Sequence, residues 1–144
     1  MNRRALNPKT LAQPPGYSQV VEVTGESLVF IAGQVSWGED GRIVGQGDFE
    51  AQARQVFNNL VRALDAVGAT PADLAKLGIY VVEHDVEKLA IVRRVRDEIL
   101  GVDEPPASTL IGVERLALPD LMIEVDAVAV VGPDPRGHQS HNPK

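Results

Sequence analysis

Hydrophobic and polar positions change period several times along the chain. Val20-Val21-Glu22-Val23-Thr24 and Leu28-Val29-Phe30-Ile31-Ala32 are β-branched runs with Gly25, Glu26 and Ser27 between them. That is the pattern of two strands joined by a hairpin turn. Gly33-Gln34-Val35-Ser36-Trp37 continues outward to turn residues Glu39-Asp40-Gly41. The period then becomes helical, with apolar residues at Phe49, Ala53, Val56, Phe57, Leu60, Leu64 and Val67. Asp48 is placed to cap this helix, Glu50 sits in its first turn, and Gly68 supplies its C-terminal cap. Thr70-Pro71-Ala72-Asp73 reads as a short capped turn.

Leu77–Val82 predicts a strand. Asp85 caps a second helix carrying Val86, Leu89, Val92, Val95 and Ile99, and Gly101 ends it. Asp103-Glu104-Pro105-Pro106 is a stiff connector, because two prolines fix φ and block a helix. Ala107–Val113 is a short strand, Leu118-Pro119-Asp120 a turn, and Leu121–Val131 the longest strand. The order β-β-α-β-α-β-β predicts an α+β domain with two helices packed on one face of a mostly antiparallel or mixed sheet. Residues 1–13 read as an extended lead-in, 14–131 as the domain and 132–144 as a flexible tail.

The last strand sets Leu121, Ile123, Val125, Ala127 and Ala129 on one face and Met122, Glu124, Asp126, Val128 and Val130 on the other. With both helices on one side, the second face is half apolar, more than a solvated antiparallel face requires. Other copies of the chain are expected to cover it; an unusually apolar wet surface is the alternative.

Composition narrows the classes. The 144 residues fit one domain. With no cysteine there is no disulfide, thiolate metal site or cysteine nucleophile. A formal net charge of −6 argues against nonspecific binding to nucleic acid or anionic membrane. No apolar run reaches transmembrane length, and the basic N-terminus lacks the apolar stretch of a signal peptide, so a soluble cytoplasmic protein is expected.

Several residues are candidates for chemistry. Glu124 and Asp126, two apart in one strand, point the same way and raise each other's pKa, as a general acid or base requires; an ordinary solvated face carries the same pattern. Tyr17, held by Pro14-Pro15-Gly16, is set either to close over a ligand or to pin the N-terminus. Ala32-Gly33-Gln34 puts a glycine at a strand end, where it either permits close backbone approach to a ligand or marks a β-bulge. Ser108 and Thr109 offer hydroxyls at a strand start. Arg93, Arg94 and Arg96 form a cationic band, by default a solvated helix face, from which one arginine can reach an anion at a subunit boundary. His138 and His141 chelate a metal only if the tail is ordered, and His84 reads as a surface residue.

Six segments occur together in order: Pro14-Pro15-Gly16-Tyr17-Ser18-Gln19, Ile31-Ala32-Gly33-Gln34, Gln52 to Leu60, Gly68-Ala69, Pro105-Pro106-Ala107-Ser108-Thr109 and Ile123 to Ala129. In this the chain resembles the RidA family, also called YjgF or L-PSP. The resemblance implies a chorismate-mutase-like fold, a homotrimer, and small-molecule clefts between subunits. It implies hydrolysis of reactive 2-imino acids or enamines to 2-keto acids and ammonia, with no metal or organic cofactor. Tyr17 matches the cleft tyrosine, Ala32 and Gly33 the strand-end backbone that contacts substrate, and Glu124 the glutamate that positions the attacking water. One position departs. Deaminating members carry an arginine directly after the Pro-Ala pair, clamping the substrate carboxylate; Ser108 stands there in this chain. Losing such a buried charged contact costs about 2–5 kcal/mol. Arg93 falls where many members have a cleft asparagine and can supply the charge from another direction. A non-catalytic ligand-binding or sensing trimer is the first rival reading. A ribonuclease or translation-linked role is the second, opposed by the acidic charge and few aromatics.

Overall fold

The computed structural model describes residues 3–11, 13–18, 20–24 and 27–132. Gly25 and Glu26 of the expected hairpin turn, and His138 and His141 of the tail, lie outside them. The strands are β1 (Arg3–Leu6), β2 (Val20–Val23), β3 (Ser27–Gln34), β4 (Leu74–Val82), β5 (Ala107–Val113) and β6 (Ile123–Val131). The helices are α1 (Phe49–Asp65) and α2 (Val86–Leu100), and a 3-10 turn spans Pro71–Asp73.

The main sheet is mixed, in the order β3-β6-β4-β5. β6 pairs antiparallel with both β3 and β4, while β5 runs parallel to β4. The parallel pair follows from α2, which carries the chain back to the starting end of β4 before β5 begins. β6 at nine residues only matches β4, which starts three residues earlier than its hydrophobic run predicts.

One sequence expectation is corrected. β2 and β3 do not form a hairpin pair; β2 pairs with β1 in a separate two-stranded sheet, and β3 pairs with β6. The lead-in competes successfully for β2 because Arg3 is buried, its Nε–H and Nη2–H donating to the carbonyls of Leu74 and Glu104. In the main sheet β4 lies between β5 and the carboxylate-bearing β6.

Helix ends behave as their residues dictate. Asp48 accepts from the Ala51 amide at 3.1 Å, and Asp85 from the Lys88 amide at 2.7 Å. Past Asp65 the chain unwinds through Gly68 (φ +72°). Its N–H bonds Asp65 O at 3.1 Å, and the Ala69 N–H bonds Leu64 O at 3.0 Å, the Schellman closure. Val67 therefore lies beyond the helix and is exposed, as is Val86 at the outer side of the first turn of α2.

The core lies between the sheet and the helices. Phe57, Leu60 and Leu64 of α1 and Val92 and Val95 of α2 meet Leu77, Ile79, Val81, Ile123, Val125, Ala127 and Ala129. One polar residue belongs to this interior. Gln52 is fully buried, donates to Gly45 O (3.1 Å) and Asp120 O (2.9 Å), and accepts from the Met122 amide (2.9 Å). It ties the start of α1 to the turn feeding β6, which sets where Glu124 falls.

The other face of the sheet is open and apolar in part. Phe30 is 76 % exposed, and Leu28 and Ile111 are also exposed. Val130, expected on this face, is buried.

Candidate active site

The alternation along β6 carries Glu124 and Asp126 onto the open face. Cross-strand register places Glu124 beside Tyr80 and Asp126 beside Gly78. Both neighbours on β4 share the side away from the helices, because Leu77, Ile79 and Val81 face the core. The Tyr80 hydroxyl donates to Asp126 Oδ2 at 3.3 Å. Asp126 can lie over β4 because position 78 has no side chain: a Cβ there would be 2.2 Å from Asp126 Oδ1. The same device recurs at Gly33. An added Cβ would fall 2.6 Å from Glu124 Oε2 and 2.7 Å from Cδ. Gly33 sits where the β3–β6 register shifts between Ile31 and Gln34, so the bulge weighed from sequence is present.

Burial, and then the charge of Asp126, hold the Glu124 carboxyl above the usual carboxylate range. Asp126 in turn pushes the Tyr80 hydroxyl up, with burial adding to it, so Tyr80 stays a donor near neutrality. A half-buried carboxylate with raised basicity beside an open backbone edge is suited to hold and deprotonate a water.

A second group of candidates lies on the helix side. Tyr17, Arg93 and Ser108 line a cavity of about 80 Å³ between β5 and α2, with Pro15, Arg96 and Leu110 among its walls. The lead-in is fastened there: the Ser18 N–H bonds Pro106 O at 2.9 Å, its hydroxyl donates to Pro105 O, and Ser18 bridges Ala107 in parallel. Tyr17 is thereby set against the start of β5. Ser108 also lines an adjoining cavity of about 290 Å³ with Gly16, Arg96, Pro105 and Pro106.

Ser108 and Thr109 do not act as a pair, because adjacent strand residues face opposite ways. Thr109 lies on the open face, where Lys76 Nζ donates to its hydroxyl at 2.6 Å, in a shallow depression shared with Phe30, Tyr80 and Asp126. Ala32 is exposed on β3, and its carbonyl accepts from Gln34 Nε2 at 3.0 Å. The arginine band is not one solvated face. Arg93 and Arg94 are exposed, Arg94 pairs with Glu50 of α1, and Arg96 is buried. Within one chain, then, Tyr17, Arg93 and Ser108 lie together, Gly33 and Glu124 lie together, and the sheet separates the two groups. Sequence reasoning passed over Tyr80 and Lys76. Their parity with Gly78, opposite to that of Leu77, Ile79 and Val81, is the signal that would have found them.

The family model for Endoribonuclease L-PSP matches residues 8–131. A RutC family protein of Pyrococcus abyssi is 33 % identical over 114 residues, covering 78 % of this chain and 84 % of the relative. Among solved structures, YyfB of Yersinia pestis, a Rid-family protein of unknown function, superposes with a TM-score of 0.85. It is 41 % identical, and the match covers 91 % of this chain and all of YyfB (100 %). RidA from an Antarctic Psychrobacter gives a TM-score of 0.65 at 27 % identity, covering 83 % of this chain and 92 % of that one. The fold and the matched span define an α+β protein of the YjgF class. The chain belongs to the L-PSP family, which includes the RutC and Rid proteins.

Proposed function

We propose that the chain assembles as a homotrimer and hydrolyses small reactive imines or enamines, 2-imino acids among them, in clefts between subunits. The observation that carries this reading is the separation of the candidate residues. Tyr17, Arg93 and Ser108 line one cavity, whereas Glu124 and Gly33 occupy the opposite face of the sheet. Residues that serve one substrate from two faces must come from two copies. The exposed Leu28, Phe30 and Ile111 give the open face a reason to be covered, each contributing about 1–2 kcal/mol because each is already partly buried in the single chain.

In such a cleft Glu124 accepts a proton as a water oxygen bonds to the imine carbon. The C=N electron pair moves to nitrogen, which takes up that proton from Glu124. The hydroxyl proton of the resulting carbinolamine then passes to that nitrogen as the C–N bond breaks, releasing ammonia and the 2-keto acid. The imine carbon is already electrophilic, so positioning and one base suffice. Ala32 and Gly33 present backbone, and Thr109 lies on the Glu124 side. Tyr17, Ser108 and Arg93 hold the substrate from the neighbouring copy.

The neutral Ser108 favours a second reading, a trimer that binds a small ligand without turning it over. Generating 2-iminobutyrate in situ and following its loss separates the two. Acceleration above buffer that disappears in Glu124→Gln supports hydrolysis. A rate equal to buffer removes it.

A further inference from the structure

Arg96 is 8 % exposed on the inner side of α2. Its Nε–H donates to Asp97 Oδ1 at 2.9 Å, and among the described residues no acceptor takes a hydrogen from Nη1 or Nη2. No buried side-chain polar atom there lacks a partner, so these two nitrogens face open space rather than a sealed carbon wall. That space is the cavity of about 290 Å³ walled by Leu77, Leu100, Val102, Pro105 and Pro106, with Ser108 beside it. Arg96 and Ser108 also wall the smaller cavity holding Tyr17 and Arg93, so the two spaces meet at this pair.

The position is built. Gly16, at φ +100°, lies so close that an added Cβ would be 2.4 Å from Arg96 Nη2. Any side chain at 16 would displace the guanidinium, and the glycine lets the Pro14-Pro15-Gly16 turn rest on it. With Nε taken by Asp97, the remaining fork has the planar, two-pronged geometry that matches a carboxylate. The apolar walls suit a short carbon chain. Asp97 and Asp103 on the same wall disfavour a second negative charge.

We propose that Arg96 binds the carboxylate of a small organic monocarboxylate through Nη1 and Nη2, with the Ser108 hydroxyl as an additional donor. It thereby supplies from α2 the cationic fork that β5 lacks. The choice of 2-imino and 2-keto acids as ligands rests on the function proposed above; the monocarboxylate site itself does not.

The test is calorimetric titration with 2-ketobutyrate, 2-ketoglutarate and the uncharged butanone, on wild type, Arg96→Met and Arg96→Lys. The expected result is binding of 2-ketobutyrate, weaker binding of 2-ketoglutarate and butanone, and a loss of roughly 10–100-fold in Arg96→Met with an intermediate value for Arg96→Lys. Equal affinity of wild type and Arg96→Met, equal affinity for butanone, or no binding of 2-ketobutyrate overturns the proposal. If Arg96→Met does not fold, the guanidinium nitrogen resonances of the wild-type protein decide. The signal absent from Arg96→Lys shifts on adding 2-ketobutyrate, and an unmoved signal overturns the site. Arginine-dependent binding without imine hydrolysis leaves the site and removes the reaction. Hydrolysis with kcat/KM unchanged in Arg96→Met does the reverse.

Discussion

Gly33→Ala tests the Glu124 carboxylate without touching it. The new methyl would stand 2.6 Å from Oε2 and 2.7 Å from Cδ, whereas ordinary contact begins at 3.4 Å. The carboxylate must retreat by about 1 Å, and a misplacement of that order at a reacting group lowers rate by roughly 100-fold, about 2.7 kcal/mol of barrier. The fold should tolerate the change. Gly33 does not have positive φ, and the clashing atoms belong to the end of a flexible side chain. The gain of roughly 0.5–1 kcal/mol from replacing a strand glycine opposes an overpacking penalty of about 1–3 kcal/mol. Thermal unfolding should therefore move by only a few degrees while loss of 2-iminobutyrate slows about 100-fold. In a Glu124→Gln background the same substitution should add almost nothing to the defect. Gly33→Ala with wild-type kcat/KM and an unchanged melt would refute the reasoning, because a displaced Glu124 would then be irrelevant to turnover.

The pH profile should follow the raised Glu124 pKa. Its basic form is needed, so rate should rise with pH to a half-point above the ordinary carboxylate value, and Asp126→Asn should lower that half-point only in part because burial is the larger cause. Stability should run the other way: between the ordinary and the raised pKa the folded chain binds more protons than the unfolded one, so stability falls as pH rises through that window, and Glu124→Gln should flatten the slope seen in urea titrations. Gln52→Ala leaves the Met122 amide and the Gly45 and Asp120 carbonyls without their partner; a loss of roughly 2–4 kcal/mol in chemical denaturation is expected, and a change under 1 kcal/mol would contradict the clip.

Much of the fold is legible in the residues because it rests on local rules. Asp48, Asp85, Gly68 and Gly101 mark helix ends through their own backbone chemistry, and strict alternation from Ile123 to Ala129 sets the inner face of β6. Pairing partners are not local. The β-branched runs at 20–24 and 28–32 look like a hairpin, yet a buried arginine 17 residues before β2 brings the lead-in onto that strand, at a distance no periodicity reports. The site shows the same division. Glu124 and Gly33 stand out individually, but their contact depends on a bulge in β3. The opposite directions of Ser108 and Thr109 follow from alternation and were readable. The burial of Arg96 was not, because it depends on where Gly16 comes to rest.

Sharing of the cleft between copies is the central claim, and mixing two inactive proteins tests it most directly. Glu124→Gln spoils one half of each site and Tyr17→Ala the other. Unfolded together and refolded as an equal mixture, random trimers should recover about a quarter of wild-type 2-iminobutyrate hydrolysis, since each mixed trimer holds one intact site. Activity no greater than the sum of the two parents refolded separately would show that Tyr17 and Glu124 do not meet across a subunit boundary.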